Sequence, residues 1–160
     1  MEETVNRTVT KAEYNDILDF VESQMLCEEQ TECQLRHFFT KGVYCREITV
    51  PAGTTVVTEI HNTEHPFIMS KGRCLVTENG MEMVELEAPY FGITLPNTRR
   101  LIEVIEETVW TTIHPTEITP KSDSEEDMLE AVAKIKEIII KPHVNKYVLE
   151  NKKEEILWLG

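Results

Sequence analysis

The chain has no apolar run approaching the roughly 18 residues that a membrane-crossing helix needs. Its opening, Met1-Glu2-Glu3-Thr4-Val5-Asn6-Arg7, is acidic and lacks the apolar core of a secretory leader. Both absences predict a soluble protein of the cytoplasm, the host cytoplasm if the chain is viral. Cysteine is sparse, and Cys27, Cys33, Cys45 and Cys74 form no CxxC pair of the kind structural zinc sites use, so they read as reduced thiols. Positive charge is also scarce: 16 basic side chains stand against 29 acidic ones, a formal net charge of −13. Such a surface repels phosphate backbones and disfavours nucleic-acid binding, leaving imitation of DNA toward a basic partner as the minor alternative. There is no Walker loop, GxSxG elbow or HExxH helix, and no local motif sets a cysteine beside a base.

What is present, 160 residues, suffices for one domain with a hydrophobic core and no disulfide staples. Thr10 followed by Glu13 reads as a capping box, and Tyr14, Ile17, Leu18, Val21 and Met25 recur at helical spacing, which predicts an amphipathic helix over 11–26. Residues 27–32 are polar and unpatterned and read as a linker. From 42 to 114 the texture changes to short runs rich in Val, Ile, Thr and aromatics, punctuated by Pro, Gly and Asn. Candidate strands are 44–50, 54–61, 66–70, 73–78, 81–86, 90–95, 100–106 and 108–114, with the Asn79-Gly80 pair as a hairpin turn. That is the rhythm of an antiparallel barrel. Ser122 to Asp127 supplies a cap and an acidic first turn for a second helix over 123–141, with Met128, Val132, Ile135 and Ile139 as its apolar stripe and Lys141-Pro142 as its end. The tail, 142–160, is charged but finishes in the apolar Ile156-Leu157-Trp158-Leu159.

The stretch from Gly53 to Gly72 holds Glu59, His61 and His65, and both glycines suit turns that need positive φ or close backbone approach. It resembles, at every spacing, the first motif of the cupin family, G-x5-H-x-H-x3–4-E-x6-G. Glu59 stands at the first histidine position, His61 matches the second, and His65 replaces the glutamate. Two imidazoles and one carboxylate remain, a set suited to a divalent transition metal such as Fe, Ni, Mn or Zn. Against the family's second motif, Gly92 to Ile105 keeps a proline turn at Pro96, but Thr98 replaces a glycine, Leu101 stands where the fourth ligand histidine is expected, and Ile105 takes the asparagine position. His114 could supply the missing nitrogen, since Trp110, Thr112 and His114 share one strand face. Val109, Thr111 and Ile113 make an equally plausible buried set. The span 42–114 is also similar to small cupin-like proteins of tailed bacteriophages.

The resemblance implies a mainly β fold: a single antiparallel cupin barrel, or jelly roll, flanked by two helices. It further implies metal or small-molecule binding at His61 and His65, with Glu59 and His114 as further ligands and Glu59 or Glu64 as a proton acceptor. Arg99 and Arg100, adjacent on the second-motif turn, are candidates for an anionic ligand, or else neutralise carboxylates such as Glu103. His37 reads as packed against the barrel and His143 as exposed. The alternative is a metal-free oligomeric binding or accessory module acting on a host partner. Exposed sheet edges and the apolar tail predict self-association, most simply as a two-fold dimer.

Overall fold

A computed structural model of the chain describes residues 9–78, 80 and 82–141, together with the backbone alone of 152–158. The first helix, α1 (Lys11–Met25), begins where the sequence places it: the Thr10 side chain accepts from the Glu13 amide while the Glu13 carboxylate accepts from the Thr10 amide. Both end groups of the first turn are thereby satisfied. Tyr14 and Leu18 are the residues α1 buries.

The sheet starts earlier than residue 42. Strand β1 (Cys33–Thr40) buries Cys33, Leu35, His37 and Phe39 on one face in strict alternation. It turns at Gly42, φ +85°, into β2 (Val43–Val50). The expected strand 54–61 is regular only over β3 (Thr55–Val57). The runs 66–70 and 73–78 are one strand, β4 (His65–Glu78), and 100–106 and 108–114 are likewise one strand, β7 (Arg100–Pro115). Between them lie β5 (Met83–Glu87) and β6 (Tyr90–Thr94). β4 and β5 form the hairpin expected around Gly80, though Asn79 itself lies outside the described residues.

β4 and β7 pair antiparallel along their length, with register shifts between Met69 and Cys74. On one side of these shifts the order is β6-β4-β7-β2-β1; on the other it is β5-β4-β7-β3. The bend turns the two half-sheets toward each other. Their inner residues share one core, with Phe67, Met69 and Trp110 from the first half and Cys74, Val76, Ile102 and Val104 from the second. Gly72, φ +97°, sits at the bend with no room for a side chain, since a Cβ there would collide with the Glu107 carbonyl and the Thr108 backbone.

The second helix, α2 (Glu125–Ile139), is capped by Ser124, whose hydroxyl accepts from the Asp127 amide. All four stripe residues are buried, packed with Phe39 and Tyr44 of the β1–β2 hairpin. The last strand, β8 (Lys152–Trp158), lies parallel to β1 from Cys33↔Lys152 to Phe39↔Trp158. The backbone of the apolar tail is thus paired with its own sheet through Trp158; Pro142, His143 and Leu159 lie outside the described residues. No helix among the described residues is long and apolar enough to cross a membrane.

Replacing Gly72 with Ala is expected to cost about 3 kcal/mol, combining left-handed backbone strain with overpacking. Gly53→Ala, at φ +80° with nothing within 4 Å of its Cβ position, is expected to cost only about 1 kcal/mol. Urea unfolding of both variants checks this, and equal losses would contradict it.

Candidate functional site

The inner faces of β4, β7 and β2 carry imidazole and phenol rings side by side, because their registers align positions of the same parity. Phe67 is opposite Thr112 and Met69 opposite Trp110, which brings His65 next to His114; His114 in turn faces Tyr44. The ring centroids of His65 and His114 are 4.3 Å apart, and those of His114 and Tyr44 are 5.8 Å apart. The Tyr44 hydroxyl lies 2.6 Å from His37 Nδ1 on β1. The strand face left open by the sequence is therefore settled: Trp110, Thr112 and His114 point inward.

His61 joins the row from outside the regular strands. The chain leaves β3 after Val57, and the His61 amide then donates to the Thr98 carbonyl while its own carbonyl accepts from the Asn97 amide. Asn97 takes a left-handed φ of 65° to make that turn. On the other side, Asn62 N–H donates to the Ile139 carbonyl and Lys141 N–H to the Ile60 carbonyl, tying this segment to the end of α2. The His61 and His65 ring centroids are 4.9 Å apart, which leaves His65 in the middle of a three-imidazole row.

The loss of strand geometry after Val57 also changes the parity expected for Glu59. Ile60 is buried and Glu59 exposed, so the carboxylate does not join the imidazoles; Glu64 is exposed as well. The two arginines part company in the same way. Arg99 is 1% exposed, and its guanidinium donates to Asp19 Oδ1 at 2.8 Å and to the Asn15 carbonyl at 3.1 Å, with Glu22 Oε1 at 3.1 Å. It fastens α1 to the barrel, helped by Tyr14, whose hydroxyl donates to the Thr77 and Arg99 carbonyls. Removing one member of such a buried pair typically costs about 3–5 kcal/mol.

Arg100 instead reaches into the interior. Nη1 donates to Thr94 Oγ1 at 3.0 Å, on the residue paired with His65, and Nε donates to Glu78 Oε2 at 3.2 Å. Its guanidinium carbon lies 5.0 Å from the centroid of Phe67 and 5.7 Å from that of Trp110, two rings stacked at 4.3 Å. Neither arginine pairs with Glu103; their carboxylate partners are Asp19, Glu22 and Glu78.

Burial, followed by repulsion from His65 and the Arg100 and Arg46 guanidiniums, holds the His61 pKa down at about 3. Burial, followed by repulsion from His65 and His61, holds His114 at about 3, and burial also lowers His65. All three rings are neutral at neutral pH. Each keeps a fully enclosed nitrogen without a hydrogen-bond partner among the described residues: His61 Nδ1, His65 Nε2 and His114 Nδ1. Neutral imidazoles are good ligands for a divalent transition metal. The arrangement does not complete such a centre: among the described residues no group of three or more His, Cys, Asp or Glu could hold a metal ion as placed. The absence of a nearby carboxylate among the described residues and the positive field of Arg100 and Arg46 point the same way. What the row can do as placed is accept or donate hydrogen bonds from inside a largely apolar barrel. The sequence analysis placed Thr112 on the face of His114 but not Tyr44 or Thr94 beside the row; alternation along β2 was the available signal for Tyr44.

No protein-family model and no curated protein matches the chain. Solved structures similar to it include an RmlC-like cupin family protein with a double-stranded β-helix fold from Methanocaldococcus jannaschii, 17% identical, covering 56% of this chain and 84% of that one, with a TM-score of 0.46. A cupin superfamily protein from Desulfitobacterium hafniense is 10% identical over 55% and 81% of the two chains, TM-score 0.45. A cupin-2 domain containing protein from Shewanella frigidimarina is 15% identical over 64% and 98%, TM-score 0.43. The bacteriophage setting draws no support from these structures. The fold is mainly β, an antiparallel sheet of seven strands extended by the parallel β8 and flanked by two helices among the described residues, consistent with a cupin jelly roll.

The lowered histidine pKa values set a direction for stability. The unfolded chain takes up these protons near pH 6.5, whereas folded His61 and His114 resist them down to about 3, so acid favours unfolding throughout that window. Between pH 6.5 and 5, above most carboxylate titration, unfolding free energy is expected to fall by up to about 1.4 kcal/mol per pH unit for each histidine. Urea titrations across this range check it; a flat profile would contradict the neutral buried row.

Proposed function

We propose that this chain is a cupin-type binding protein that takes a small polar molecule at the row of His61, His65 and His114 inside the barrel, with Arg100 beside it. The observation carrying this reading is the set of three enclosed imidazole nitrogens without partners. Each unsatisfied buried polar atom costs roughly 1–3 kcal/mol, a loss that a ligand bridging them would offset. If a divalent Fe, Ni, Mn or Zn ion is the ligand instead, the same three nitrogens are the candidates to hold it, after rotation of the rings toward a common point. Elemental analysis of protein purified without an affinity tag, followed by calorimetric metal titration, separates the cases. The expected result is no stoichiometric metal. Stoichiometric metal that His61→Ala and His65→Ala each abolish would replace the small molecule with a metal centre, with the control Lys141→Ala keeping its metal.

A second reading, an oligomeric accessory module, is favoured by one feature: Phe91, Ile93 and Leu95 point outward from β6 and its following turn at 62%, 47% and 56% exposure. β6 pairs only with β4 among the described residues, leaving its other edge open. Open apolar edges favour pairing with another copy. A bacteriophage accessory role toward a host partner belongs to this reading. Sedimentation at tens of micromolar is expected to give a dimer that Phe91→Lys converts to monomer; a monomeric wild type would contradict it.

A further inference from the structure

The hydrogen bonds made by the outer nitrogens of the row fix which protons its inner nitrogens carry. His65 Nδ1 lies 2.9 Å from the Thr63 carbonyl, which can only accept, so Nδ1 bears the proton and Nε2 is a bare lone pair. His114 Nε2 lies 2.9 Å from Thr112 Oγ1, and the arrangement that also serves the Arg46 carbonyl, 3.5 Å from the same oxygen, gives the single hydroxyl proton to that carbonyl. Thr112 therefore accepts from His114 Nε2–H, and His114 Nδ1 is the second bare lone pair. These are two of the row's three enclosed and unpartnered nitrogens, on rings 4.3 Å apart.

A pair of buried acceptors calls for a ligand that donates. An ammonium group would donate, but it would enter the field of the Arg100 and Arg46 guanidiniums, which already bears on His61. A hydroxyl donates without adding positive charge. Arg100 contributes the opposite polarity: Nε and Nη1 are engaged with Glu78 and Thr94, while Nη2 makes no hydrogen bond among the described residues. The stacked faces of Phe67 and Trp110 beneath the guanidinium keep it from swinging toward the core.

Building on the binding role assigned to this row, we propose that its ligand is a polyhydroxylated carboxylate, a sugar acid or related hydroxy acid. Two hydroxyls donate to His65 Nε2 and His114 Nδ1, and the carboxylate accepts from Arg100. Hydroxyl recognition by enclosed acceptors also gives selectivity, because an analogue without hydroxyls leaves both nitrogens unpaired.

Long-range proton–nitrogen correlation spectra of protein with isotope-labelled histidine, at neutral pH, test this, with gluconate, hexanoate and zinc as separate probes. Expected are His65 protonated at Nδ1 and His114 at Nε2, saturable shifts of His65 Nε2 and His114 Nδ1 on adding gluconate, and no such shifts with hexanoate. His65→Gln and His114→Gln are each expected to weaken gluconate binding about tenfold. Equal response to hexanoate, or the opposite tautomers, overturns the ligand class. A response to zinc alone also overturns it while leaving a binding site at the row. Silence of the rings toward all three probes overturns both the ligand class and the binding role. Should the variants fail to fold, the wild-type spectra decide.

Discussion

The continuous pairing of β4 with β7, bent at Gly72, is the constraint on which the rest of the structure depends. Two long strands run through both halves of the barrel, and their register shifts at the bend, so a separate inward parity holds on each side of it. Below the bend that parity selects Cys74, Val76, Ile102 and Val104, an apolar lining. Above it, with the alternation of β4 switched by the register shifts and that of β7 unchanged, the inward residues are His65, Phe67, Thr112 and His114, a lining that becomes polar toward one end. A single strand pair thus builds an apolar core and, continuous with it, an enclosed row of imidazoles.

The row is enclosed while one nitrogen of each ring lacks a hydrogen-bond partner among the described residues. Buried polar side chains are ordinarily paired within the protein. Arg99 shows how the same chain treats a buried charge meant for structure, with two carboxylates and two carbonyls brought to its guanidinium. Next to it, Arg100 keeps one nitrogen without a hydrogen bond and the three histidines keep three. The adjacent arginines thus differ: Arg99 is held by several acceptors at the helix contact, whereas Arg100 keeps Nη2 without a hydrogen bond among the described residues.

Much of this was legible in the sequence, for local reasons. The capping box at Thr10 and Glu13, the apolar stripe of α2 and the positive φ of Gly53 and Gly72 are each decided within a few residues. His61 and His65, singled out by their spacing, lie side by side with ring centroids 4.9 Å apart. Glu59 does not join them: its placement assumed that strand alternation continues past Val57, where the backbone instead turns to bond Thr98. Strand β1 was legible in the alternation of Cys33, Leu35, His37 and Phe39 but was passed over for the richer β texture after residue 42. The role of Arg99 was not legible at all, since its partner Asp19 lies 80 residues away on another element. The inward face of β7 likewise needed the register with β2, a long-range fact.

A high-resolution crystal structure of the protein purified from cells, without added ligand, tests the central claim most directly. The account expects non-protein density, from a bound molecule or ordered water, within hydrogen-bond reach of His65 Nε2 and His114 Nδ1 and beside Arg100. Imidazoles rotated onto protein partners, with the interior filled by side chains and no such density, would contradict it.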